Sequence, residues 1–289
     1  MGTVIGLQGI SALVSATFLF LMAAGVALIF GVCRILNLAH GSVFMLAAFL
    51  AYELTSAGGS SLGAFWLSVL LVPIATALLG ALLERTLIRR FYGSDLLVQL
   101  MPMVGIIYII SDVSRFTWGV SPLSVPVLGL FGTVTILDLT FPAYYFVVVL
   151  ASLLVGAGLW FIIARTRWGV LVRAAAQDRE MSAACGVNQA RLFTAVFALA
   201  SWLAGLAGVL AVPISGASLQ TDMSTVIDAF VVVVVGGMGS VLGSMVAALL
   251  IGLVNAFGIL AFPQFAMTFV YTLMAVVLIV RPTGLFGRE

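Results

Sequence analysis

The stretch FGVCRILNLAHGSVF, Phe30 to Phe44, sets the chain's only histidine, His40, near a glycine, an asparagine and an arginine where two long apolar runs meet. Working outward from it, the chain is almost uniformly greasy. Of 289 residues, 63% are hydrophobic and 8% are charged, against about 25% charged in an ordinary soluble domain. Apolar runs near 10–31, 38–54, 63–83, 97–114, 143–164, 192–212, 241–260 and 266–280 have lengths suited to a hydrocarbon layer that needs about 20 residues of helix. A shorter run, 226–235, either crosses or re-enters. The expected fold is therefore an all-α polytopic transmembrane helical bundle of eight or nine spans, one domain over 1–289. Lipid offers backbone groups no partner outside a helix or a closed barrel, and these runs lack the two-residue alternation of barrel strands.

The arginines orient the bundle, because cytoplasmic ends of spans retain positive charge. With the N-terminus outside and 226–235 crossing, Arg34, Arg85, Arg89, Arg90, Arg165, Arg167, Arg173, Arg179, Arg191, Arg281 and Arg288 all fall inside; only Arg115 falls outside. The net charge of +2 follows from this topology and gives no reason to expect a nucleic-acid partner. The first run has no basic residue before it and no small-residue cleavage site, so it is expected to stay as a span. Cys33 and Cys185 both map to the inner side, where thiols stay reduced, and one histidine with two cysteines builds no metal site of familiar spacing.

Two interruptions stand out, near 31–41 and 226–243. Asn37 is positioned to cap the helix of the second span. The same geometry also has a functional reading, since a helix that begins at membrane depth turns its positive end and free donors toward an anionic group, as broken helices do in transporters. His40, read as the third residue of that helix, faces either the pathway or the packing around it. At VVVVVGGMGSVLGS, the ten-residue run ending in Gly236 and Gly237 supplies about 15 Å of helix, half of a bilayer core. Unwound backbone survives there only against protein or a water-filled cavity. The candidate pathway is thus Asn37, His40, Gly41, Ser42, Asp228, Gly236, Gly237, Gly239 and Ser240. At depth, Asp228 costs about 2.5–3.5 kcal/mol unless paired or wet; near Asp222 at the outer interface it costs little. Asp112 and Arg115, one turn apart, suit an outer ion pair, and Asn255 suits an interhelical hydrogen bond.

Two loops are long. The outer one, Thr117–Pro142, is rich in proline, glycine and β-branched residues and suits a small hairpin or short helix. The inner one, Arg165–Arg191, carries a predicted helix from Arg173 to Ala184, with Gly186 just past its end and Asn188 as the cap of the next span. It is either a solvated connector or a docking element.

In that inner loop Glu180 and Gly186 stand six apart, as the glutamate and glycine do in the cytoplasmic EAA loop of bacterial ABC importer permeases, with Met181 and Ser182 in place of its two alanines. Together with NLAHGS at Asn37–Ser42, GGMGSVLGS at Gly236–Ser244 and RPTGLFG at Arg281–Gly287, the chain resembles the permease family of the branched-chain amino acid importers, whose close relatives move urea and amides. The resemblance implies an inner-membrane subunit that works by alternating access and catalyses no reaction itself. ATP would bind to two cytoplasmic ATPase subunits, docked on 173–186 through Arg173, Asp178, Arg179, Glu180, Met181 and Gly186. A second permease subunit, identical or related, and an extracytoplasmic binding protein would complete the assembly, and no cofactor is implied for this chain. Two positions depart from the family pattern: Ser42 stands where an acidic residue commonly follows the His-Gly pair, and Asp228 where a basic residue commonly precedes the Ala-Phe. The rival readings are a stand-alone channel or gradient-driven transporter, which leaves the inner-loop helix without a role, and an intramembrane enzyme, for which no acid–base or nucleophile cluster is in place.

Overall fold

A computed structural model of the protein describes residues 2–136, 139–261 and 263–287. Its helices are α1 (Gly2–Cys33), α2 (His40–Ala57), α3 (Leu62–Thr86) and α4 (Leu96–Trp118), then α5 (Ala143–Arg165), α6 (Arg167–Gln177), α7 (Arg179–Ala184) and α8 (Gln189–Ser215), and finally α9 (Thr221–Gly236), α10 (Val241–Ala261) and α11 (Ala266–Val280). A hairpin of β1 (Thr133–Ile136) and β2 (Leu139–Pro142) lies in the outer loop, in antiparallel register from Thr133 opposite Pro142 to Ile136 opposite Leu139, and follows a short 3₁₀ turn at Leu128–Phe131. The outer loop thus holds both a hairpin and a short helical turn.

Six helices have the length and apolarity to cross a bilayer: α1, α3, α4, α5, α8 and α10. The other three apolar runs form α2, α9 and α11, of 18, 16 and 15 residues. The all-helical, multi-pass architecture expected from the sequence is the one observed. The short run is longer as a helix than its apolar core. It follows a two-bond antiparallel bridge between Leu123 and Ala217 and ends where Val235 and Gly236 meet the C-terminal segment.

Burial separates centre from rim. In the most apolar stretch of each helix, 78% of α8 and 72% of α1 are buried, against 17% of α5 and 22% of α4, so the first pair forms the core and the second pair faces outward. Small residues make the core dense. A Cβ on Gly208 of α8 would lie 2.5 Å from the Phe44 carbonyl of α2, a separation no packed side chain allows, so backbone meets backbone there. At the outer end, the Tyr144 hydroxyl donates to the Leu210 carbonyl at 2.7 Å, and the Trp118 indole donates to Glu53 at 3.1 Å while stacking on Phe49. Asp112 and Arg115 do pair, at 3.8 Å, but both are well exposed, so the pair adds little to stability. Asn255 makes no hydrogen bond among the described residues.

The inner end is held by one buried acid. Glu84, at the end of α3, is fully enclosed. Its carboxylate accepts from Arg89 Nε at 3.2 Å and Nη2 at 3.0 Å, from the Tyr92 hydroxyl at 3.0 Å and from the Thr194 hydroxyl of α8 at 2.6 Å. Arg89 also reaches the Ala190 carbonyl of α8 at 3.1 Å. Every lone-pair direction of a buried carboxylate needs such a donor, and here the donors come from the turn that follows α3 and from α8, so the acid fastens the end of α3 to α8. Burial raises the Tyr92 phenol pKa above its ordinary value, and the adjacent Cys33 and Glu84 act in the same direction; Tyr92 therefore serves as a neutral donor.

Arg34, Arg85, Arg89, Arg90, Arg165, Arg167, Arg173, Arg179, Arg191 and Arg281 gather at this same end, as the contacts Arg89–Ala190, Arg179–Val32 and Leu285–Val235 require; Arg288 lies outside the described residues. Replacing Glu84 by Ala strands the Tyr92 hydroxyl, while the Thr194 hydroxyl keeps the Ala190 carbonyl at 2.8 Å as an acceptor. Because Arg89 is 37% exposed and can turn to water, the expected loss is about 2–3 kcal/mol, below that of a fully enclosed pair, read as a lowered thermal unfolding midpoint in detergent.

Candidate functional site

Segment 34–39 climbs back into the protein after α1 ends. Arg34 takes a left-handed φ of 49° and donates its N–H to the Phe30 carbonyl at 2.9 Å, which closes the helix. Ile35, Asn37 and Ala39 are buried, and α2 starts opposite Gly25. That glycine lies eight residues before Cys33, or about 12 Å up α1 at 1.5 Å per residue. The helix of the second span therefore begins within the bundle, as a broken helix would.

The capping expectation for Asn37 does not hold. Ala39 occupies the cap position with no side-chain bond, and Leu38–Ala39 form a turn that delays the helix to His40. Asn37 contributes its carbonyl, which accepts the His40 N–H at 3.3 Å, while its Oδ1 is buried without a partner. His40 is accordingly the first helical residue and not the third. It is wholly enclosed, its imidazole set where Gly25 has no side chain: a Cβ there would lie 2.6 Å from Nε2. The Met22 carbonyl is close enough to influence the ring, yet neither nitrogen forms an aligned hydrogen bond. Ser42 Oγ is likewise buried and unpaired. Among the described residues four buried polar atoms thus lack partners around one helix start, whereas buried polar groups are ordinarily hydrogen-bonded. Directly over it sits the first turn of α9, since a Cβ on Gly41 would overlap the Asp222 carbonyl oxygen.

Asp222 is anchored by the Ser111 hydroxyl of α4 at 3.1 Å. Asp228, six residues on and midway along α9, lies on an exposed face and has no hydrogen bond or salt bridge among the described residues.

The two interruptions meet. A Cβ on Gly31 would lie 2.8 Å from the Gly239 Cα, so the end of α1 and the glycine motif touch through backbone. Gly237 and Gly239 take φ of 100° and 87°, open to glycine and costly for other residues. Ser240 then caps α10, its Oγ accepting the Gly243 N–H at 3.0 Å. One partner was not anticipated: the C-terminal RPTGLFG segment. Its Leu285 and Phe286 N–H groups donate to the Val235 and Gly236 carbonyls at 2.9 and 3.0 Å, answering the free acceptors at the end of α9. The signal available in the sequence was the pairing of a helix end without a capping side chain with a second glycine-rich turn.

The inner-loop helix is two helices. Asp178 breaks it, because its carboxylate accepts the Met181 N–H at 2.9 Å and so starts α7 afresh. Gly186, with φ of 85°, follows its end, and Asn188 caps α8 by accepting the Arg191 N–H at 3.1 Å, both as expected. Of the residues read as facing a docked partner, Asp178, Glu180 and Met181 are exposed. Arg173 and Arg179 instead turn inward. Arg173 donates to the Ile163 carbonyl at the end of α5, whereas Arg179 donates to the Val32 carbonyl of α1 at 2.9 Å, its guanidinium 5.1 Å over the Phe193 ring of α8. Burial lowers the Arg179 pKa from its ordinary value, but a guanidinium stays charged at any working pH.

Residues 9–280 match the family described as branched-chain amino acid transport system, permease component. The chain belongs to that permease family. Among its relatives, the high-affinity branched-chain amino acid transport system permease protein BraD of Pseudomonas aeruginosa is 28% identical over 283 residues, covering 93% of this permease and 91% of BraD. The corresponding LivH of Escherichia coli is 27% identical over 285 residues, with the same two coverages. The ribose import permease RbsC of Haemophilus influenzae is 27% identical over 217 residues, 70% of this permease and 64% of RbsC. No solved structure matches the permease. The family is one of multi-pass transporter components and not of enzymes.

Because this permease has a single histidine, its enclosure is open to direct test. Diethylpyrocarbonate should leave His40 unmodified in the resting protein, whatever it does to exposed Cys185 and Tyr108. Gly41→Val, which drives α9 off the start of α2, should admit the reagent, seen as an ethoxycarbonyl group on the His40 peptide by mass spectrometry.

Proposed function

We propose that this permease is the transmembrane subunit of an ATP-driven importer in the bacterial inner membrane and carries a branched-chain amino acid or a related amino acid or amide inward by alternating access. The observation that carries this is a match over nearly the whole length to high-affinity branched-chain amino acid permeases, together with an exposed ledge, Asp178, Glu180 and Met181, on a short helix at the arginine-rich end. A stand-alone channel gives that ledge no role.

In this reading two ATPase subunits bind the ledge, with Gly186 shaping the turn behind it. A second permease subunit, identical or related, faces this one, and an extracytoplasmic binding protein delivers solute to the loop side that carries the hairpin. The N-terminus is outside and the C-terminus inside, as the arginine distribution favours. The pathway runs past the start of α2 and the glycine motif. Asn37, His40 and Ser42 offer polar atoms with no present partner, and the positive end of α2 attracts an anionic group such as a carboxylate. With α9 packed over Gly41, solute passage in this reading requires α2 and α9 to part. Gly236, Gly237, Gly239 and Ser240 form the hinge of that motion, and Asp228 adds a carboxylate to the exposed face of α9. This chain binds no nucleotide itself; the ATPase subunits hold the ATP.

Glu180→Arg and Gly186→Val test the docking ledge. Both should leave membrane insertion intact and lower co-purification of the ATPase subunits at least tenfold, with ATP-dependent uptake of radiolabelled leucine falling alongside. Wild-type leucine uptake without any ATPase would refute the importer reading.

A further inference from the structure

Arg179 opens α7, yet its side chain points away from the ledge that α7 presents. It crosses to the end of α1, a helix 147 residues earlier in the chain, and donates to the Val32 carbonyl at 2.9 Å. That carbonyl is one of the last acceptors of α1, which have no intrahelical donors once Arg34 has turned left-handed, and the negative end of the helix dipole adds to the attraction for a cation. The guanidinium is not held by a carboxylate: among the described residues it forms no salt bridge, and its Nε is buried without a partner. Its other contact is the Phe193 face at 5.1 Å, which guides the group without anchoring it. Arg173, the other inward-facing arginine, reaches only the end of the neighbouring α5.

The position of Val32 gives this bond its consequence. Val32 follows Gly31, whose backbone touches Gly239 of the second interruption, and precedes the buried segment that leads to His40. One side chain therefore links the exposed helix to the point where both broken segments meet. A rigid helix displaced at one end transmits that displacement through a short directional bond, whereas apolar contacts alone allow slip.

We propose that Arg179 is a positioning residue that passes the movement of α7, imposed by a docked ATPase, to the α1–α2 interruption through its bond to the Val32 carbonyl. This rests on reading α7 as the docking element. Arg179 thus acts within the permease and forms no part of the surface that the ATPase covers.

The test uses the full permease assembled with the ATPase subunits that co-purify with it, trapped with ATP and orthovanadate, and followed by hydrogen–deuterium exchange over residues 31–41. In the wild type, trapping should change protection of this segment. Arg179→Gln should still bind the ATPase and trap nucleotide, while the trapping-dependent change over 31–41 shrinks at least threefold. Arg179→Lys, which keeps the charge and one donor for the Val32 carbonyl, should recover at least half of the response, and Arg191→Gln, an exposed arginine of the same surface, should match the wild type. A full response in Arg179→Gln overturns the proposal, as does equal loss in the Lys and Gln variants. Loss of ATPase binding in Arg179→Gln would place the residue in the docking surface and also overturn it. A wild type that binds no ATPase, or shows no nucleotide response, would instead remove the importer reading itself.

Discussion

A helix that stops inside an apolar bundle leaves backbone donors and acceptors that water cannot reach, and each must be answered by another part of the chain. Much of the inner half of this protein is arranged by that demand. The carbonyls at the end of α9 bring the C-terminal segment into place through Leu285 and Phe286, and the end of α1 draws in Arg179. With both ends occupied, Gly31 and Gly239 come into backbone contact. Four segments remote in sequence are thereby assembled into one junction beneath the start of α2.

Among the described residues the demand is left unmet most densely around the start of α2. Asn37, His40 and Ser42 keep four buried polar atoms without partners, and they cluster where a helix presents its positive end. An unsatisfied polar group in such surroundings costs of order 1–3 kcal/mol, so the cluster departs from ordinary core packing, in which buried polar groups are paired. The two sides of the molecule differ accordingly. The α3–α8 side is fastened by a buried carboxylate with four donors, whereas the α1–α2–α9 side is joined by glycine contacts and single hydrogen bonds.

Much of this was legible from residues alone. Apolar runs of bilayer length, arginines on one side and glycine-bounded interruptions are local or compositional signals, and each appeared in the structure near where it was read. The errors arose where a local rule met a non-local alternative. Asn37 has the chemistry of a cap, but a turn at Leu38–Ala39 carries it past the helix start. The alanine-rich run from Arg173 has helical propensity throughout, yet the Asp178 carboxylate captures the Met181 N–H and begins a second helix. Arg179 reads as a surface charge because nothing near it in sequence reveals the open carbonyl of Val32.

By itself the sequence determined that the protein lies in a membrane as a helical bundle, which end carries the positive charge and where its helices must break, because hydrophobicity, charge and glycine content act on each segment independently of its neighbours. Tertiary structure alone decided that the two breaks touch, that the C-terminal turn closes one of them, and that the inner-loop arginine reaches the other. Those outcomes depend on which unpaired backbone groups come within hydrogen-bonding distance once the helices pack, and no segment carries that information alone.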